Sequence, residues 1–140
     1  QARLQPTCAH QLDDSLWCWG RNDRGQVGIG STLDVYSPML VGSEWSSFSF
    51  AYQTGCGVKY DQTLWCWGYN FHGQVGDNTI TNRTSPVLIS ASPWKTPATG
   101  ALHSCAIDID DYLWCWGYNN SGELGVGDTS THRVPTYIIQ

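Results

Sequence analysis

Six cysteines carry the most reactive chemistry in this 140-residue chain. They form three pairs of equal spacing: Cys8 with Cys18, Cys56 with Cys66, and Cys105 with Cys115. Paired cysteines suit two chemistries, disulfide bonding and metal ligation. Zinc sites combine Cys with His, and His10 and His103 each lie two residues from a cysteine. Against zinc, the second pair has no matching His, and nine residues separate each pair where zinc sites commonly use two to four. Each pair also brackets an Asp at or beside its midpoint: Asp13, Asp61 or Asp110. Asp favours turns because its side chain accepts hydrogen bonds from nearby backbone donors. A three-residue hairpin loop centred there sets the two cysteines opposite each other on adjacent strands, within disulfide reach. Three identical local pairings are the economical solution, so disulfides are expected and no metal. Disulfides persist in oxidising compartments, so the expected location is extracellular, either secreted or at the cell surface.

Other reactive groups form no catalytic constellation. No Ser or Thr sits in a nucleophile elbow, the four His are scattered, and no phosphate loop or dinucleotide fingerprint occurs. No catalytic residue, no cofactor and no enzymatic activity are therefore expected. Asp108, Asp110 and Asp111 cluster in a way that suits Ca2+, but the neighbouring copies place Asp in the same turn, which favours a turn over a metal site. Two glycosylation sequons occur, Asn82-Arg83-Thr84 in a polar loop and Asn119-Asn120-Ser121, whose Asn119 aligns with Asn22 and Asn70 and so favours a structural turn role over a glycan. Trp45 and Trp94 look less regular than the other tryptophans and are candidate exposed aromatics for a ligand or an interface.

The elements that must position these residues come from an internal repeat. Leu16-Trp17-Cys18-Trp19-Gly20 recurs at Leu64–Gly68 and Leu113–Gly117, 48 and then 49 residues on. The register extends to Asn22, Asn70 and Asn119, and to Pro38, Pro86 and Pro135. One glycine position slips to Asn: Gly30 and Gly127 align with Asn78, a substitution that keeps left-handed backbone accessible. The reading is all β: a hairpin ending in LWCWG, a Gly-rich loop, then a Pro followed by a short apolar strand such as Met39-Leu40-Val41 or Tyr137-Ile138-Ile139. LWCWG is apolar on both faces, so each such strand needs neighbours on both sides. Small sheets stacked around an axis, as in a propeller, supply them.

Composition excludes several classes. Charged residues are 14%, hydrophobic residues 41%, and the net charge is -5 with no basic run, so phosphate-gripping nucleic-acid binding is not expected. No apolar stretch reaches the length of a membrane span, so membrane insertion is not expected.

The segment Trp19-Gly20-Arg21-Asn22-Asp23-Arg24-Gly25-Gln26-Val27-Gly28-Ile29-Gly30, with its copies at Trp67–Asn78 and Trp116–Gly127, resembles the repeat of the regulator of chromosome condensation family. The cysteine-bearing form, His103–Ile107 with Leu113–Gly117, is similar to the secreted subset of that family. The resemblance implies β-propeller blades, commonly seven to a ring, and a binding platform. Three blades do not close such a ring, and Gln1 reads as a processed start or the edge of an excerpt. The expected organisation is a single propeller-type repeat domain, 1–140. Repeat one covers about 1–53, repeat two about 54–102 and repeat three about 103–140, as part of a larger or oligomeric propeller or filament rather than a closed ring. The expected function is an extracellular structural or protein-interaction scaffold, with protein partners or copies of itself. Alternatives are a carbohydrate-binding, lectin-like propeller and an inhibitor-type or other partner-binding propeller.

Overall fold

The computed structural model describes residues 5–139. Among these residues eleven strands form three antiparallel sheets. β1 (Thr7–His10), β2 (Leu16–Gly20) and β3 (Val35–Gly42) make the first sheet. β4 (Trp45–Ala51), β5 (Thr54–Lys59), β6 (Leu64–Gly68) and β7 (Arg83–Ser90) make the second, in chain order. β8 (Trp94–Thr99), β9 (His103–Asp108), β10 (Leu113–Gly117) and β11 (His132–Tyr137) make the third. Sequence repeats and sheets are therefore out of phase. Trp45–Ala51 and Trp94–Thr99, at the ends of repeats one and two, supply the first strand of the next sheet.

The hairpins follow from their turn residues. In the first, Gln11 donates its N–H to the Ser15 carbonyl at 2.9 Å and Asp14 donates to the Gln11 carbonyl at 3.0 Å, which leaves a three-residue loop. The loop's last residue is left-handed in every copy: Asp14 (φ 65), Gln62 (φ 69) and Asp111 (φ 69). This is a type I turn followed by a left-handed residue, a common three-residue hairpin solution. The Asp13 carboxylate accepts both the N–H and the hydroxyl of Ser15, at 3.1 and 2.6 Å, and Asp61 does the same for Thr63. Cys8 then faces Cys18, Cys56 faces Cys66 and Cys105 faces Cys115. Each expected pair is a disulfide.

The third expected strand differs in extent. It starts before the proline rather than after it, so Pro38, Pro86 and Pro135 lie inside β3, β7 and β11. These are edge strands, where a missing N–H can face away from the ladder. β11 ends at Tyr137, which leaves Ile138 and Ile139 outside it.

The core lies between sheets. Leu16, Cys18 and Val27 of the first meet Trp45 and Trp67 of the second. Cys56, Val58, Leu64, Cys66 and Val75 of the second meet Trp94, Ala106 and Trp116 of the third. The two-faced apolarity of LWCWG is satisfied by this stacking. Trp45 and Trp94 are correspondingly not exposed: they are 1% and 5% accessible and lie against the preceding sheet. A Cβ on Gly57 would come within 2.5 Å of the Trp45 ring, so the glycine makes room for it.

Candidate interaction site

Each LWCWG strand runs into a loop organised by one buried asparagine. Asn22, Asn70 and Asn119 are fully buried. Their Oδ1 atoms accept the N–H groups of Val27, Val75 and Leu124 at 2.9, 2.9 and 3.0 Å. Their Nδ2 groups donate across the loop, to the carbonyls of Ser31 and Leu33, Thr79 and Thr81, and Asp128 and Ser130. Asn119 is therefore corrected as a glycosylation site: its amide nitrogen is buried and engaged, and cannot take a sugar in the folded chain. Asn82 differs. Its side chain is half-buried and its Oδ1 accepts the Asn70 N–H at 2.9 Å.

The same loop holds each sheet to the next. Trp67 donates its indole N–H to the Gln26 carbonyl of the preceding sheet's loop at 3.1 Å. Trp116 donates to the Gln74 carbonyl at 2.9 Å, where Ser104 Oγ also donates at 2.8 Å. Gly28 and Gly76 lie directly on these indoles, where an added Cβ would sit 2.8 and 2.6 Å from Nε1. Both have positive φ, 83° and 89°, so only glycine meets the steric and backbone demands together. Gln26 and Gln74 are wholly buried and accept the N–H groups of Arg24 and His72 through Oε1, at 2.7 and 2.8 Å.

Among the described residues this plug and socket is formed twice. In the third loop Glu123 stands where Gln26 and Gln74 stand and is exposed. A Cβ on Gly125 would meet only Ile138, at 4.0 Å, and one on Gly127 would meet nothing. At the first sheet Trp19 is only partly buried, whereas its equivalents Trp67 and Trp116 are completely buried. Sequence reading saw these tryptophans as packing. It missed the direction of the indole N–H and the role of the glycines.

The acidic cluster resolves as turn chemistry. In the first two hairpins Trp17 and Trp65 donate their indole N–H to Ser15 Oγ and Thr63 Oγ1, at 2.8 and 2.7 Å. Tyr112 occupies that position in the third and offers no such hydroxyl. Asp108 takes over: Oδ2 accepts Trp114 Nε1 at 2.9 Å, and Oδ1 accepts the N–H groups of Asp110 and Tyr112, both at 3.0 Å. Asp111 pairs instead with Lys95. The Asp108 and Asp111 carboxylates are thus held in separate roles.

Asp77 anchors the second loop. It accepts Thr79 Oγ1 at 2.6 Å and Asn70 Nδ2 at 3.2 Å through Oδ1, and Arg83 Nε at 2.5 Å through Oδ2. Burial pushes its pKa up, but the Thr79 and Arg83 contacts outweigh this and hold it below the ordinary carboxylate value. A folded-state pKa below the unfolded one contributes stability at neutral pH, and that contribution is lost as pH falls through the folded value. The expected result is an acid-side loss of thermal stability that Asp77→Asn reduces, measured as Tm against pH. An unchanged slope in the variant would remove Asp77 from this role.

Strands stacked face to face, antiparallel within each sheet and joined sheet to sheet by buried tryptophans, define a segment of a β-propeller. Family models for the regulator of chromosome condensation (RCC1) repeat match residues 13–60, 61–107 and 98–123. The chain belongs to that family. It is similar to the protein RCC2 homolog of Danio rerio, 45% identical over 40 residues, which are 26% of this chain and 8% of that protein. The fold matches human WBSCR16 with a TM-score of 0.84 at 19% identity, covering 98% of this chain and 37% of that one. It matches yeast RCC1 (Prp20), in its crystal structure with Kap60, with a TM-score of 0.84 at 22% identity, covering 99% and 37%. The chain thus spans little more than a third of those structures and much less of the Danio rerio protein.

Proposed function

We propose that the chain is a non-enzymatic protein-interaction scaffold that works outside the reducing cytosol and extends by docking blade to blade. The carrying observation is the plug and socket, which joins sheet to sheet at Trp67 and at Trp116 and whose two halves recur at Trp19 and in the Gly125 loop. A second copy that presents Trp19 to the Gly125 loop would repeat contacts the chain already makes twice, which supports assembly into a ring or a surface fibre. Three disulfides support the extracellular setting. Binding of protein partners is consistent with the Saccharomyces cerevisiae relative Prp20p, a structure described together with its binding to Gsp1p and histones. With Trp45 and Trp94 buried, the glycan-stacking reading loses the side chains on which it rested.

Sedimentation velocity tests the docking. The wild-type chain is expected to self-associate with rising concentration, and Trp19→Lys to remain monomeric with an unchanged circular dichroism spectrum. Equal association by both proteins would rule out this contact. A glycan on Asn82 is part of the same proposal: peptide mapping of secreted protein is expected to find sugar at Asn82 and none at Asn119, and a bare Asn82 would refute it.

A further inference from the structure

Strand direction sorts the connections to two ends of the stack. The hairpin tips 11–15, 60–63 and 109–112 share one end with the connections 43–44 and 91–93. The asparagine-built loops occupy the other. The two ends differ in charge. The tip end carries Asp13, Asp14, Asp61, Asp110 and Asp111 on the hairpins, with Glu44 and Asp108 beside them. Its cations are Lys59 and Lys95. Lys95 is paired with Asp111, and Lys59 lies over the Trp45 and Trp65 rings at 5.0 and 5.1 Å. At the loop end the carboxylates of Asp23, Asp34, Asp77, Glu123 and Asp128 are offset by four arginines, Arg21, Arg24, Arg83 and Arg133.

The tip end is also apolar where its turns do not require it. The first residue of each three-residue loop is Leu12, Tyr60 or Ile109, with accessibilities of 105%, 60% and 40%. Nothing in a type I turn calls for a large apolar side chain there, and polar residues are the usual choice. Three exposed apolar groups at one repeat position form a row rather than scattered single residues. Tyr60 donates its hydroxyl to Asp14 at 3.0 Å, which joins the first two tips. At the third, Ile109, Trp94, Trp114 and Pro93, with Asp108 and Asp110, line a cleft of about 410 Å³.

We propose that this tip face is a docking surface for a basic protein segment bearing large apolar side chains. Apolar groups of the segment would lie on the tip row and in the cleft, and its lysines or arginines would meet the tip carboxylates. The Ser15 and Thr63 hydroxyls hold Asp13 and Asp61 below their ordinary value, and bonds from Trp114, Tyr112 and Asp110 hold Asp108 there despite burial. An anionic lipid surface or a nucleic acid would be repelled by the same charge. The surface is separate from the Trp19 and Gly125 contact, so the two proposals stand or fall independently.

Fluorescence anisotropy on the full chain tests it with two synthetic peptides of equal positive charge, one alternating lysine with leucine and one alternating lysine with serine. The lysine–leucine peptide is expected to bind at least roughly tenfold more tightly. The double variant Leu12→Ser and Ile109→Ser is expected to lose most of that preference, and Asp110→Lys to weaken both peptides. Each variant is checked for native disulfides and circular dichroism, and Arg24→Ser at the loop end serves as a control expected to bind as wild type. Equal binding of the two peptides, or tip variants that bind as wild type does, would overturn the proposal.

Discussion

Alanine at Trp67 is expected to lower the unfolding free energy by roughly 3–5 kcal/mol, the range for removing a buried tryptophan. Trp67 is 0% accessible and sits in the cluster that joins the first two sheets. Its loss opens a cavity between them and leaves the buried Gln26 carbonyl without its indole donor. Trp19 holds the same place in LWCWG but is only partly buried, so Trp19→Ala is expected to cost far less, about 1 kcal/mol. Denaturant unfolding of both variants measures the difference. Equal costs would mean that tryptophan burial within a sheet, rather than docking between sheets, stabilises the stack.

Reduction of the disulfides is expected to remove most of the chain's stability. Each bond closes a short loop, with ten residues of separation, worth about 2–3 kcal/mol by the chain-entropy argument. Three of them are comparable with the whole stability of an ordinary domain, about 5–15 kcal/mol. The order of loss is also predictable from burial. Cys56 and Cys66 are both fully buried, whereas Cys8 and Cys105 are each partly accessible. Cys8–Cys18 and Cys105–Cys115 are therefore expected to open before Cys56–Cys66 under mild reductant. Timed alkylation with mass spectrometry reads this directly, and earlier labelling of Cys56 or Cys66 would contradict it.

Much of this architecture was legible in the residues. LWCWG and its spacing gave the stack, and the Asp-centred midpoints gave the three-residue loops and hence the cysteine register. Asn78, standing where Gly30 and Gly127 stand, has the left-handed backbone that its alignment implies, with φ 65. What escaped the sequence did so for local reasons. Trp45 and Trp94 are equivalent, but the connection before Trp94 is one residue longer, 91–93 against 43–44, and that shift disguised them as irregular. Pro38, Pro86 and Pro135 read as strand boundaries because proline usually interrupts a ladder; only their place on edge strands permits otherwise. The turn role of Asn119 was legible in its alignment with Asn22 and Asn70, but the depth of its burial depends on carbonyls 9 and 11 residues further on. The interlock was the hardest to see. A tryptophan announces burial, but the carbonyl its N–H will meet lies 41 or 42 residues away.

The most direct test of the account is electron microscopy of the purified chain under oxidising conditions. It predicts closed rings or filaments in which Trp19 of one copy rests on the Gly125 loop of the next, as Trp67 rests on Gly28 and Trp116 on Gly76. Isolated three-sheet particles at every concentration, or an assembly joined through any other surface, would contradict it.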